Sequence, residues 1–287
     1  MSPLNLLRLI TLAACWGIAF VFIRVAVPYF GPVALVDVRV LTASAVLMLY
    51  ARAAGTRLDF ATQWKRYVAV GALNSGIPFC LVALAQSEMS VAYAVILVSV
   101  TPLMSAVIAA VWIKDPFSVA KGIGLVLGIA GVALLLGWTP SGAEAPPAWA
   151  VACALVATVS YGMAGVYTKR YCSELPALEV AAGSQLATGV MLLPLVAVFP
   201  PHAWPTLLAW GNALALAVLC TALAFLLYFR LIVNVGPVKA LTVNFLAPLF
   251  GVTGGIALLG ETASANVFLG AAVILIGTGL VIRSGAR

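Results

Sequence analysis

The chain has 287 residues, of which 64% are hydrophobic and 8% are charged. A soluble domain carries about 25% charged residues, so this composition excludes a water-soluble globular protein and predicts an integral membrane protein. The single histidine and the five separate cysteines exclude a histidine-based metal site or catalytic triad and supply no disulfide framework. We therefore expect no bound metal or cofactor.

Ten apolar segments follow one another along the chain, each close to the roughly 20 residues that cross the hydrocarbon core of a bilayer. A backbone in lipid must satisfy its own hydrogen bonds, so each segment is predicted to be an α-helix. The predicted spans cover residues 6–27, 33–51, 67–86, 91–113, 118–137, 148–168, 177–199, 208–231, 238–259 and 264–283.

All but two of the 15 Lys and Arg residues fall at span ends or in loops on one side of this arrangement. By the positive-inside rule, both termini are predicted to lie in the cytoplasm. The net charge of +7 is therefore a topology signal, and no nucleic-acid partner is expected. The two exceptions, Arg24 and Arg39, lie inside spans one and two.

One sequence pattern occurs twice. The stretches "CWGIAFVFIR" at 15–24 and "SYGMAGVYTK" at 160–169 share aromatic, glycine, alanine and basic positions at an offset of 145 residues. These copies begin five spans apart and therefore run through the membrane in opposite directions, as the repeats of many secondary transporters do. The chain is thus predicted to form two five-helix repeats of inverted topology, residues 1–140 and 141–287. An offset of 146 aligns further positions: Phe79 with Phe225, Pro102 with Pro248, Asp115 with Glu261, Gly124 with Gly270, and Gly131 with Gly277.

The repeats carry a family resemblance. The segment "WGIAFVFIR" in span one and the segment "VNFLAPLFGVTGGIALLGE" in span nine, followed by "GAAVILIGTGLVI", resemble the EamA-like family of the drug/metabolite transporter superfamily. The resemblance implies an all-α membrane protein in which spans one to four and six to nine surround a central cavity, while spans five and ten pack outside. It also implies transport of amino acids, nucleosides or other small metabolites, mostly outward across a bacterial inner membrane.

Polar and aromatic residues inside the spans are the candidate lining of that cavity. Trp16 lies mid-span, unlike the other tryptophans, and could stack on a substrate or simply pack in the core. Pro102 and Pro248 each remove one helical hydrogen bond, so we predict hinges there, although packing kinks would explain them equally. The predicted substrate-binding residues are Trp16, Phe20, Arg39, Asn74, Phe79, Ser99, Thr101, Tyr161, Gln185, Thr221, Phe225 and Asn244.

Arg39 is the candidate with the most specific chemistry. A guanidinium inside hydrocarbon is costly, so it should face the cavity and find a partner there. It could bind a carboxylate of the substrate, or it could hold helix-end carbonyls in a structural role. All eight acids are predicted near the membrane faces, so the sequence offers no buried proton carrier, and Asp37, near the outer face, is the exception to test.

These features predict a carrier and not an enzyme, because motifs for nucleotide hydrolysis or other catalysis do not occur in the sequence. We predict export of a small metabolite by alternating access, with an amino acid or related zwitterion as the leading substrate class. Export of nucleosides or drug-like compounds, a lipid-handling membrane protein and a channel remain alternatives. The expected partners are the substrate and membrane lipid, with the protein a monomer or weak homodimer.

Overall fold

A computed structural model describes residues 2–56, 58–137, 146–236 and 240–284, and within those ranges the chain is helical, without β-strands. The predicted repeat boundary at residues 140 and 141 lies outside them. The helices are α1 Pro3–Ala53, α2 Phe60–Gly71, α3 Ile77–Ala85, α4 Val91–Val98, α5 Thr101–Trp112, α6 Val119–Gly137, α7 Ala148–Tyr171, α8 Ala177–Val198, α9 Leu207–Ala217, α10 Ala224–Val235, α11 Val243–Leu259 and α12 Ala265–Ser284.

The apolar spans predicted from sequence correspond to these helices. Among the described residues, eight continuous helical segments are long and apolar enough to cross a membrane, and α11 is an apolar helix of 17 residues. The structure is therefore that of an all-α integral membrane protein. Predicted span three begins earlier than expected, at Phe60, because the Asp59 carboxylate caps the helix by accepting the Thr62 N–H at 3.1 Å.

Predicted spans one and two form one helix, α1, of 51 residues. At about 1.5 Å per residue it is more than twice as long as the hydrocarbon core is thick. Its helical geometry is broken at Gly31, which has φ 70° and ψ 167°, between Pro28 and Pro32, which have no N–H to donate. A Cβ atom at position 31 would lie 2.9 Å from Nε2 of His202, so the site needs glycine for space as well as for conformation.

Two helical segments contain a π turn. The first, π1, covers Ala72–Gly76 between α2 and α3, and the second, π2, covers Val218–Leu223 between α9 and α10. Their first residues are 146 positions apart, which is the offset of the sequence repeat. A π turn inserts one residue into a helix and occurs frequently at functional sites.

Helices α6 and α12 pack through glycines at repeat-related positions. A Cβ atom on Gly124 would lie 2.6 Å from the Gly277 carbonyl oxygen, and one on Gly131 would lie 3.0 Å from that of Gly270. The contacts join the beginning of each helix to the end of the other, so the two helices are antiparallel. Close approach of backbones through small residues is a common way for helices to associate in membranes.

Helices α5 and α11 end in the same turn, again 146 residues apart. Lys114 and Gly260 adopt positive φ values of 54° and 67°. The next residue in each case is an acid whose N–H donates to a carbonyl six residues back, at 3.1 Å. Lys121 donates to the Asp115 carboxylate at 2.7 Å, and this hydrogen bond lowers the pKa of Asp115. Both Glu261 oxygens instead accept the Val91 N–H at 3.0 Å, which ties the turn after α11 to the start of α4.

The buried apolar side chains form two large clusters. In one, α1 packs against α3 and α9; in the other, α4 and α5 pack against α7 and α12. The polar residues considered next lie where α1 and α8 meet the two π turns.

Candidate functional site

Two buried hydrogen bonds hold the centre of the molecule together. Arg39 of α1 donates from Nε to the Thr221 hydroxyl in π2 at 2.8 Å. Gln185 of α8 donates from Nε2 to the Ser75 hydroxyl in π1 at 2.7 Å. The two donors are 146 residues apart in the sequence, and so are the two acceptors. Each bond therefore joins a helix of one predicted repeat to the π turn of the other.

The positive charge of Arg39 has no carboxylate partner among the described residues, whose two ion pairs are Arg66–Glu174 and Lys121–Asp115. Its guanidinium lies over the Phe79 ring, 3.7 Å from the centroid. The Phe79 ring in turn contacts that of Tyr161.

Arg39 is 7% exposed, and its terminal nitrogens donate no hydrogen bond to a described residue. A desolvated charge without a counter-ion costs several kcal/mol. A negatively charged group placed beside this guanidinium would therefore be stabilising.

Gln185 occupies the place equivalent to Arg39 but is neutral. Its side chain is fully buried, and its Oε1 accepts no hydrogen bond from the described residues. Asn74, on π1, is partly exposed and likewise makes no side-chain hydrogen bond to the part of the chain that the structure describes. The two equivalent places thus differ in chemistry, with a cation at one and neutral amides at the other.

The predicted aromatic residues fall into two groups. Phe79 and Tyr161 belong with Arg39, whereas Trp16 packs on Tyr228, with ring centroids 5.4 Å apart. A row of rings continues from Tyr228 through Phe229 to Phe225. Trp16 and Tyr161 are related by the repeat, but they belong to different groups of rings.

Phe20 is partly exposed and lies between the two apolar clusters. Its carbonyl accepts the Gln86 Nε2–H at 2.9 Å. This bond fastens the end of α3 to α1. Arg24 reinforces the connection by donating to the backbone carbonyls of Gln86 and Ser87 at 2.5 Å and 3.0 Å.

Three predicted site residues direct their polar groups to nearby backbone. Ser99 donates to Ile96 O at 2.6 Å, Thr101 to Val98 O at 2.7 Å, and Asn244 to Leu241 O at 3.1 Å. Hydroxyl and amide side chains often satisfy helix carbonyls in this way. In the conformation described, these donors are engaged by the chain itself.

The two prolines differ in setting. Pro102 lies in the first turn of α5, directly after the break between α4 and α5, whereas Pro248 lies inside α11. The carbonyl that Pro102 leaves without its helical donor is that of Val98. The Thr101 hydroxyl satisfies this carbonyl. The hinge role of both prolines remains a prediction.

Two cavities open at the surface away from this centre. One, of about 460 Å³, lies between α1 and α9, beside Phe22 and Leu208. The other, of about 890 Å³, lies at the end of α1, beside Met48 and Arg52. Neither is lined by a predicted site residue, so the central cavity also remains a prediction.

The burial of Asp37 was not expected from the sequence. We expected no buried acid, yet Asp37 is 7% exposed and Glu179 is 5% exposed. Asp37 lies six residues beyond Gly31, about 9 Å along the helix, where α3 and α9 cover this part of α1. Glu179, in the first turn of α8, accepts hydrogen bonds from the Tyr67 hydroxyl and, at 3.4 Å, from the Asp59 N–H. The expectation that the chain offers no buried acid is therefore wrong for these two residues, whereas their predicted position near the membrane faces stays a prediction.

The chain resembles known transporters over nearly its full length. The model of the EamA-like transporter family matches residues 4–137 and again 148–283. An uncharacterized inner membrane transporter, YedA of Escherichia coli K12, is 26% identical, covering 95% of this chain and 89% of its own. A probable terminal-alkyne amino-acid exporter of Streptantibioticus cattleyicolor is 25% identical, covering 96% and 92%.

A crystal structure of another protein shares the fold, with a TM-score of 0.69 and 21% sequence identity. The match covers 96% of this chain and 95% of that one. It supports the helical architecture as a whole and carries no information on substrate.

Proposed function

Because the chain belongs to the EamA-like transporter family, we propose that this multi-pass membrane transporter exports an amino acid or a related zwitterion across a bacterial inner membrane by alternating access. The observation that carries the proposal is Arg39, a buried guanidinium without a carboxylate partner among the described residues. A substrate carboxylate would supply the missing negative charge with bidentate geometry. The name of the S. cattleyicolor relative, an amino-acid exporter, supports the same substrate class.

The proposed topology has ten crossings, with α1 crossing twice and turning at Gly31. Its two inverted repeats would be residues 1–140 and 141–287, with both termini in the cytoplasm. Support comes from four features that recur at an offset of 146 residues: the π turns, the bonds made by Arg39 and Gln185, the glycine contacts of α6 with α12, and the turns that end α5 and α11.

Within this arrangement the substrate carboxylate would bind Arg39, close to Phe79 and Tyr161. The side-chain amide of Asn74 and the Oε1 of Gln185, unpaired among the described residues, would add polar groups to the site, and the rings from Trp16 to Phe225 would contact an apolar side chain. Nucleosides also stack on aromatic rings, but they lack the anionic group that Arg39 favours. We propose no cofactor and no catalysed reaction, and a monomeric or weakly dimeric state.

Counterflow in proteoliposomes tests this function. Vesicles loaded with one unlabelled compound would be diluted into a trace of the same compound in radiolabelled form, for each of the 20 amino acids and the common nucleosides. We expect uptake for a subset of amino acids, and we expect their methyl esters, which lack the carboxylate charge, to compete poorly. Counterflow of nucleosides without any amino acid would contradict the proposal.

Replacing Arg39 tests the site itself. Arg39→Gln copies the residue at the equivalent place, 185, and should weaken binding of the free amino acid about 10- to 100-fold, since hydrogen bonds to charged groups contribute about 1.5–3 kcal/mol. The ester should be affected much less. Arg24→Gln removes a cation that is bonded to backbone carbonyls and serves as the matched control, expected to keep the preference for the free acid.

A further inference from the structure

Asp37 is a buried carboxyl group without a hydrogen-bond donor among the described residues. It lies on α1, two residues before Arg39, and is 7% exposed. Its Oδ1 atom is fully enclosed and accepts no hydrogen bond from the described part of the chain. A carboxylate that served a structural purpose would be expected to accept bonds from nearby donors.

The groups around Asp37 do not balance a negative charge. On α3, which packs against this part of α1, the titratable side chain is the thiol of Cys80. Arg39 is two positions further round the helix, where it bonds to Thr221 and lies over Phe79. Of the other helices packed against this part of α1, α9 carries no titratable residue, and π2 offers the thiol of Cys220. The acid of α8, Glu179, is held by Tyr67.

A buried carboxylate without a partner is expensive, and such a group takes up a proton instead of keeping its charge. Burial of Asp37 without a hydrogen-bond donor among the described residues therefore favours its protonated, neutral form. A movement of the helices that brought more water or a cation to the carboxyl group would favour loss of the proton. Ionisable residues inside membrane proteins commonly mark proton relays for this reason.

We propose that Asp37 carries the proton that couples export to the transmembrane proton gradient. The inference rests on the proposed transport function. The carboxyl group takes a proton from the outer solution and releases it to the cytoplasm, and one substrate molecule leaves for each proton that enters. The proton moves between water and one Asp37 oxygen, so no further reactant is needed.

The repeat offers no second carrier of this kind. The residue 146 positions after Asp37 is Gly183, and a Cβ atom there would lie 2.8 Å from the Tyr67 ring, so no acid fits. The buried Glu179 already accepts hydrogen bonds from two donors. One proton per cycle is therefore expected, and Glu179 provides a matched control.

The test uses the full chain in proteoliposomes, with the amino acid that gives the strongest counterflow as the probe. The membrane potential is clamped at zero with potassium and valinomycin, and the interior is made more acidic than the exterior. Wild-type protein should accumulate the amino acid up to about tenfold for each pH unit, the equilibrium for exchange with one proton. Asp37→Asn should keep counterflow and lose this accumulation, whereas Asp37→Glu and Glu179→Gln should keep both.

Infrared spectroscopy gives a second readout that does not depend on transport. The carbonyl band of a protonated carboxylic acid should be present in the wild type at neutral pH and reduced in Asp37→Asn, or in Asp37→Ser if the first variant does not fold. An unchanged band in both variants overturns the proposal.

The transport outcomes separate the two claims. Counterflow with no response of the wild type to a pH gradient, or accumulation driven by a sodium gradient instead, overturns the role of Asp37 and leaves the transport function standing. Accumulation of the amino acid by Asp37→Asn under the pH gradient would likewise overturn the role of Asp37 and leave the transport function standing. Absence of counterflow for every compound contradicts the proposed function, and this inference with it.

Discussion

Arg39 and Gln185 make equivalent hydrogen bonds, yet one is a cation and the other a neutral amide. A site with the same residue at both places could hold a ligand in two orientations related by the pseudosymmetry. The difference in charge removes that degeneracy, because a carboxylate gains only at Arg39. In the proposed function, single residues therefore give direction to a substrate within a duplicated framework.

Trp16 is the residue whose role is easiest to separate from folding. Its ring is partly exposed and contacts Tyr228. If it is a wall of the site, Trp16→Ala should lower affinity about tenfold, since an aromatic contact contributes about 0.5–1.5 kcal/mol beyond its buried area. Titration of counterflow against substrate concentration measures the change.

The control for this change is the repeat-related ring. Tyr161→Phe keeps the aromatic contact with Phe79 and should alter affinity by less than about twofold, since the Tyr161 hydroxyl makes no hydrogen bond to a described residue. A Trp16→Ala protein that aggregates on size-exclusion chromatography would show that the ring serves core packing.

Individual residues could be singled out from the sequence where a polar or charged side chain stands in an apolar segment. Arg39, Gln185 and Thr221 could be singled out in this way, but their bonding partners could not, because the contacts join segments more than 100 residues apart. Ser99 has the composition of a ligand-binding residue, and only the structure shows that Ile96 O takes its hydroxyl. The burial of Asp37 depends on α3 and α9, which no local pattern reveals.

At the scale of elements, the π turns are the joints between the predicted repeats. Each has a hydroxyl residue at the fourth position of its turn, Ser75 in π1 and Thr221 in π2. The Thr221 hydroxyl also donates to Leu216 O, one of the carbonyls that an α-helix would have satisfied differently. A change of conformation that moved either hydroxyl out of reach of its donor would break the bond to the opposite half.

The hydrogen bonds that tie the two π turns to the opposite repeat should differ in strength. Thr221→Val removes the acceptor of a charged donor and should cost about 1.5–3 kcal/mol, whereas Ser75→Ala removes a bond between neutral groups and should cost about 0.5–1.5 kcal/mol. The fall in thermal unfolding temperature in detergent compares them, and Thr221→Ser, which keeps the hydroxyl, is the control. Equal losses of stability for the two variants would contradict the expectation that the charge of Arg39 strengthens its bond to Thr221.

At the scale of the whole molecule, the distribution of basic residues and the repeat make one prediction about topology. Reporter domains fused after residues 60, 144 and 287 should lie in the cytoplasm, outside and in the cytoplasm. Alkaline phosphatase and green fluorescent protein fusions, which are active on opposite sides, measure this. A C-terminus outside the cell would contradict both the ten crossings and the inverted arrangement.

The overall architecture was readable from the sequence because apolar segments of membrane length can hardly be anything but helices. The interruptions of the helices could not be predicted in this way. The π turns carry no composition signal, and the gap expected between spans one and two contracts to the single non-helical residue Gly31. A helix–loop–helix and a bent helix have nearly the same sequence pattern, since prolines and glycine suit either.

The bend at Gly31 bears on how the protein enters the membrane during synthesis. In the proposed topology, no polar loop separates the two crossing segments of α1, so they would reach the insertion machinery as one hairpin. The second segment contains Asp37 and Arg39, each of which resists insertion at the membrane centre by up to about 3 kcal/mol. Its first, more apolar partner would enter beside it and offset that cost, so the residues proposed to serve transport would be delivered into the bilayer by a neighbour that precedes them in the chain.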